Sequence, residues 1–178
     1  MTASHLPCLS FEGGNALSPF RAAALLKRLQ QLQPRMAGID ARHVHWVRTG
    51  AALDAAAHDR LAALLRYGEP APAAADGALV VVMPRLGTVS PWASKATDIA
   101  RNCALPVLRI ERVTEYRLQL QRPLLGAPRT LAPAELQACA ALLHDRMTES
   151  VGFARDDAVR LFDAQPAAPL EHVDLLGR

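Results

Sequence analysis

The sequence predicts an α+β fold: a mostly antiparallel sheet with its helices packed on one face. Three observations carry this. Short apolar or alternating runs are separated by segments whose apolar residues recur at helical spacing. The connections between these runs are short, as a layered domain requires. Charged or polar residues occupy alternate strand positions, which predicts one solvent-facing side of the sheet.

The elements follow in order. Leu6 to Glu12 reads as a first strand that ends at Gly13-Gly14. Ser18-Pro19 is an N-cap followed by Pro at the first helical position, ahead of Ala22, Leu25, Leu26, Leu29 and Leu32; Pro34 stops the run. Arg42 to Arg48 alternates as a strand, with Val44 and Trp46 on one face and His43, His45 and Val47 on the other. Asp54 caps a second helix carrying Ala57, Leu61, Leu64 and Leu65, and Gly68 ends it. Residues 68–77 have the composition of a surface loop.

Ala78 to Met83 is a Val-rich run of the length of a buried strand. Ser90-Pro91 repeats the cap-then-Pro signature, so a third helix begins at Pro91 or Trp92 with Trp92, Ala96, Ile99 and Cys103 facing inward. Leu105 to Gln121 is long for one strand, which predicts a bend or hairpin near Arg112 to Thr114. Pro133 opens a fourth helix, Met147 to Phe153 reads as a last strand, and Asp156 to Phe162 as a short helix. The sequence QPAAP (165–169) has linker composition, giving a domain over 1–154 and the start of a linker over 155–178.

Composition narrows the function classes. With 51% hydrophobic and 21% charged residues the chain suits a soluble globular domain. The net charge of +3 is spread along the chain and makes no basic block, which argues against nucleic-acid binding. No apolar run has the length of a membrane span and no signal-peptide pattern opens the chain, so no membrane partner and a cytoplasmic location are expected. Cys8, Cys103 and Cys139 are far apart, an odd number without a C-x-x-C pair. They read as reduced thiols, with Cys103 and Cys139 in the core.

The chemistry concentrates in PRLGTVSPWASKATDIARNC (84–103). The first turn of a helix offers unpaired N–H groups and partial positive charge to an anion. Thr88, Ser90 and Ser94 add hydroxyls there, and Lys95, one of two lysines in the chain, adds a full charge where the helix dipole disfavours it. A plainer alternative has Ser90 capping the helix, Lys95 solvated, and Asp98 pairing with Lys95 at i+3. The Walker-type spacing is absent. His43 and His45 share a strand face but lack a third ligand at supporting spacing, so no metal is expected. His144-Asp145 points its two side chains apart on a helix. No catalytic constellation is expected.

The strings NALSPFR (15–21), LLRYG (64–68), PRLGTVSPWASKATDIARNC (84–103), RIER (109–112) and HDRMTE (144–149) occur in one order. Together they resemble the N-terminal region of the large single-chain phosphoribosylformylglycinamidine synthases, over essentially the whole chain. Val113 departs from that pattern, where Gly usually follows I-E-R, and HVDLLGR (172–178) resembles the start of the linker toward a synthetase domain. The resemblance implies a fold similar to a dimer of the small subunit PurS. It implies a place in de novo purine biosynthesis, within a ligase that converts formylglycinamide ribonucleotide, ATP and glutamine to formylglycinamidine ribonucleotide, ADP, phosphate and glutamate. It implies that the synthetase and glutaminase domains of the same polypeptide are the partners, with nucleotide substrate at the domain interface. ATP and magnesium would belong to those domains, none to this chain, which would be inactive alone. On this reading Thr88, Ser90, Trp92, Ser94, Lys95 and Asp98 are the expected substrate-side residues: Thr88, Ser90 and Lys95 toward phosphate or ribose, and Trp92 as a wedge for the helix. The rival expectation is a free-standing adaptor that binds a protein through the same polar helix.

Overall fold

The two longest strands, β2 (Met36–Thr49) and β4 (Val107–Leu120), pair antiparallel through the centre of a five-stranded sheet of order β1-β2-β4-β3-β5. This computed structural model describes residues 7–71, 73, 76–121 and 130–163. The linker string at 165–169 and the string at 172–178 lie outside the described residues. The remaining strands are β1 (Cys8–Asn15), β3 (Ala78–Pro84) and β5 (Glu149–Gly152), and every pairing is antiparallel. Helices α1 (Pro19–Leu32), α2 (Ala55–Leu65), α3 (Pro91–Asn102) and α4 (Pro133–Ala141) cover one face, and a 3-10 helix follows at Arg155–Phe162. The α+β class and the helical face are as expected.

The helix starts obey the cap signatures. Ser18, Asp54 and Ser90 each accept a hydrogen bond from the backbone N–H three residues on, satisfying donors that helical bonding leaves free. Pro19, Pro91 and Pro133 stand at the first helical position.

Helices α1 and α4 pack Leu29, Cys139 and Ala140 over Ile39, Ala41, Val80, Val82 and Leu118. Helices α2 and α3 pack Leu61, Leu65 and Ala100 over Phe11, Val47 and Ile110. Helix α3 also serves the stretch of β4 that short β3 leaves unpaired. Ile110 N donates to Thr97 Oγ1 at 3.0 Å, and Arg101 donates to the carbonyls of Val107 and Leu108. Small Ala93, Thr97 and Ala100 form the buried line that permits this approach. The inward face is therefore rotated from the expected one: Trp92 and Ala96 face α2, Ile99 is half-exposed, and Cys103 is an exposed C-cap and not a core thiol.

Two further expectations change. β4 does not bend at Arg112–Thr114, because Arg112, Val113 and Thr114 stay in register with His45, Val44 and His43. Val113, the expected departure from the resembled pattern, packs its β-branched side chain into a buried cluster. The expected solvent-facing side of the sheet is covered as well. Val44, Trp46, Val81, Met83 and Val113 pack there against Ala158, Leu161 and Phe162 of the 3-10 helix, which begins one residue after the boundary expected at 154. Beside them Arg42 donates to Glu115 Oε2 from Nε and Nη2 at 3.0 and 2.8 Å, Arg155 Nε lies 3.1 Å from Glu115 Oε1, and both arginines pair with Glu12. Arg48 Nη1 donates to Phe162 O at 2.7 Å with its guanidinium above the Phe162 ring. The polar residues expected in solvent are thus ion-paired under a short lid.

Leu161 is 1% exposed and anchors that cover. Leu161→Ala is expected to lower unfolding stability by about 2–4 kcal/mol, the cost of deleting buried methyl groups from a close-packed site. Urea unfolding measures it, and a loss below about 0.5 kcal/mol would mean that the 3-10 helix contributes no core.

Candidate functional site

Between the two apolar clusters of the helical face, β2 and β4 present a polar seam: His43 opposite Thr114 and His45 opposite Arg112. A residue type that is costly to bury needs a partner there. His45 is fully buried, and its Nε2 lies 2.9 Å from the hydroxyl of Tyr67, just beyond α2. Arg112 Nη1 donates to the same hydroxyl at 3.3 Å, which leaves the phenol hydrogen for His45 Nε2. Trp92, in the first turn of α3, stacks on the His45 ring with centroids 5.4 Å apart and planes 26° apart. The Arg112 guanidinium lies 4.8 Å from the Trp92 ring centroid.

Two glycines make room for this group. A Cβ at Gly13 would stand 2.7 Å from His45 Cε1 and 2.8 Å from His43 O. One at Gly14 would stand 2.6 Å from the carbonyl oxygens of both Tyr67 and Glu69. The loop that carries Tyr67 can therefore lie against β1, where Asn15 N donates to Glu69 O at 2.8 Å.

Burial pushes the His43 and His45 imidazoles down to about 4, with the Arg112 charge acting the same way on both. Both rings are neutral at neutral pH. Across the sheet, burial raises Glu111, and hydrogen bonding and charge from Arg109 oppose it, with Arg109 Nε donating to Glu111 Oε1 at 2.9 Å. Among the described residues no group of three or more His, Cys, Asp or Glu side chains is placed to hold a metal ion. Among them, too, no helix is long and apolar enough to cross a membrane.

Five of the six expected substrate-side residues fall into two groups, and Asp98 stands apart from both. Thr88, Ser90 and Ser94 are tied locally: Thr88 Oγ1 donates to Arg85 O at 2.6 Å, Ser90 Oγ accepts from Ala93 N, and Ser94 Oγ donates to Ser90 O. Trp92 and Lys95 instead face a half-open cavity of ≈ 210 Å³ between α2 and α3. Asp98 is exposed and outside that lining, and among the described residues no ion pair joins it to Lys95. The sequence does not single out Tyr67 or Arg112, which stand in LLRYG and RIER, and offers His45 only with His43 as two metal-type ligands that lack a third. The available signal was the pair of histidines on one strand face, which need partners when buried.

An antiparallel sheet with four helices on one face and a side-chain cavity between two of them defines an α+β layer domain. A model of the formylglycinamide ribonucleotide amidotransferase N-terminal family matches residues 42–162, from within β2 to the end of the 3-10 helix. The chain belongs to that family, the N-terminal domain family of an amidotransferase enzyme of purine biosynthesis, phosphoribosylformylglycinamidine synthase.

The neutral imidazoles have a measurable consequence. The unfolded chain binds a proton on each histidine near pH 6.5, and the folded chain binds it only near 4. Between those values the unfolded state holds more protons, so stability falls as pH is lowered from 6.5 to 4, by up to about 3 kcal/mol for one histidine. His45→Gln is expected to flatten this slope by about half in urea unfolding at pH 7, 5.5 and 4.5. An unchanged slope would show that His45 does not titrate in this way.

Proposed function

We propose that this chain serves phosphoribosylformylglycinamidine synthase as the domain that completes its nucleotide-substrate site. The observation that carries the reading is the family match over residues 42–162. In that role the chain supplies a rigid surface, while the synthetase and glutaminase domains of the same polypeptide supply catalysis. Those domains hold ATP and magnesium, form the amidine with release of ADP and phosphate, and produce ammonia from glutamine. The chain alone turns over none of the three substrates, and the enzyme works in the cytoplasm. The family match favours this reading over a free-standing adaptor.

The start of α3 is the surface we assign to the substrate. Ser90 and Ser94 hold the first turn in shape, Thr88 fixes the preceding loop, and Trp92 wedges the helix against the seam. Lys95 is exposed beside Trp92, and its ammonium is the group that meets phosphate or ribose. Asp98, one turn on, borders the same surface.

Lys95→Ala in the enzyme that contains this domain with its synthetase and glutaminase partners is expected to raise KM for formylglycinamide ribonucleotide by about tenfold, with kcat within about twofold. That is the loss of one charge-assisted contact made equally in ground and transition states. Steady-state kinetics with each substrate varied in turn checks it. Unchanged KM for all three would remove Lys95 from the site.

A further inference from the structure

The cavity between α2 and α3 has features that a scaffold does not need. Its volume is ≈ 210 Å³, and a dry cavity of about 150 Å³ already admits a benzene ring. Leu61, Leu65, Ala100 and Ile110, all buried, close its inner end. Trp92 and Tyr67 form aromatic walls.

Both walls are held from behind. The indole of Trp92 is stacked on His45 and covered by Arg112, and the hydroxyl of Tyr67 is engaged by His45 and Arg112. Neither ring needs to be ordered when something enters, so the entropic penalty of binding is low. The lining is also unbalanced in charge. Lys95 is its one charged side chain, and no carboxylate is among the lining residues. Asp98, the acidic side chain one turn away on the same helix, is exposed and outside the lining.

We propose that this cavity is a binding site for a small amphipathic anion: a single aromatic ring on a short tether that ends in a carboxylate. The ring lies between Trp92 and Tyr67 over the aliphatic floor. The carboxylate sits at the mouth, where the flexible stem of Lys95 brings its ammonium within reach. The site shares Trp92 and Lys95 with the function proposed above but stands on the cavity alone. A failed titration leaves the kinetic prediction intact, and the reverse also holds.

The experiment is a titration of the isotope-labelled 178-residue chain with 3-phenylpropanoate, followed by amide proton–nitrogen correlation spectra. Saturable shifts centred on α2 and α3 are expected, with Kd of about 0.1–1 mM for a ligand of this size. The neutral amide of the same acid is expected to bind about three- to fivefold more weakly, and Lys95→Gln to abolish that preference. Ala96→Phe fills the cavity and blocks binding. Ile99→Glu places a like charge at the exposed rim without touching the core, and weakens binding even if the larger substitution disturbs folding. Absence of saturable shifts, shifts spread away from α2 and α3, or full affinity in Ile99→Glu would each overturn the site. Equal affinity for the acid and its amide would overturn its anionic character.

Discussion

Everything in this domain answers to the pairing of β2 with β4. Each strand has 14 residues and lies inside the sheet, with helices packed on one face and the 3-10 helix on the other, so the middle of neither is left to solvent. Yet both carry polar residues through that middle, and the alternation of a strand sends them to opposite faces. His43, His45, Arg112 and Thr114 go to the helical face, and Glu111 and Glu115 to the other. A buried polar group without a partner costs about 1–3 kcal/mol. The positions of Tyr67 and Trp92 on one side, and of Arg42, Arg109 and Arg155 on the other, are the responses to that demand.

The ion pairs beneath the 3-10 helix are best understood as fixing geometry. Glu115 is 1% exposed, and taking a carboxylate and its guanidinium partners out of water consumes most of what their attraction returns. The net gain comes from Leu161 and Phe162 closing over Trp46 and Val113. What the arginines add is selectivity in where the chain lies after β5. Arg155 meets both Glu12 and Glu115, and Arg48 holds the Phe162 carbonyl, so a helix shifted along the sheet would leave buried charges unmatched.

Most of the fold was legible because its signals are local. Ser90-Pro91 and Ser18-Pro19 mark helix starts through chemistry that lies within four residues, and the alternation in Arg42 to Arg48 gives the correct faces of β2. The errors arise where a distant element decides. Leu105 to Gln121 looks too long for one strand until β2 is known to run equally far beside it. Cys103 and Ile99 look buried by periodicity, but α3 turns Ala93, Thr97 and Ala100 inward because the bare edge of β4 needs close approach. Alternating polar residues normally signal a wet face. Here the cover comes from eight residues at 155–162, too short a segment to announce itself by pattern. In the candidate site, Trp92 and Lys95 could be named from PRLGTVSPWASK. Tyr67, more than 20 residues earlier, meets them only through the fold.

Trp92 joins these levels. Its indole satisfies the seam through the neutral imidazole stacked with it and the guanidinium 4.8 Å from its ring centroid, and the ring also lines the cavity. A side chain fixed by the interior and presented outside has already lost its rotamer freedom during folding, so little remains to be lost on contact. The same holds for Tyr67, whose hydroxyl is engaged inward while its ring lines the opening. Lys95 differs, since its stem is exposed and free to adjust. A rigid aromatic slot with one mobile cation at its mouth separates shape from charge: burying histidines in the sheet fixes the first, and the surface of α3 sets the second.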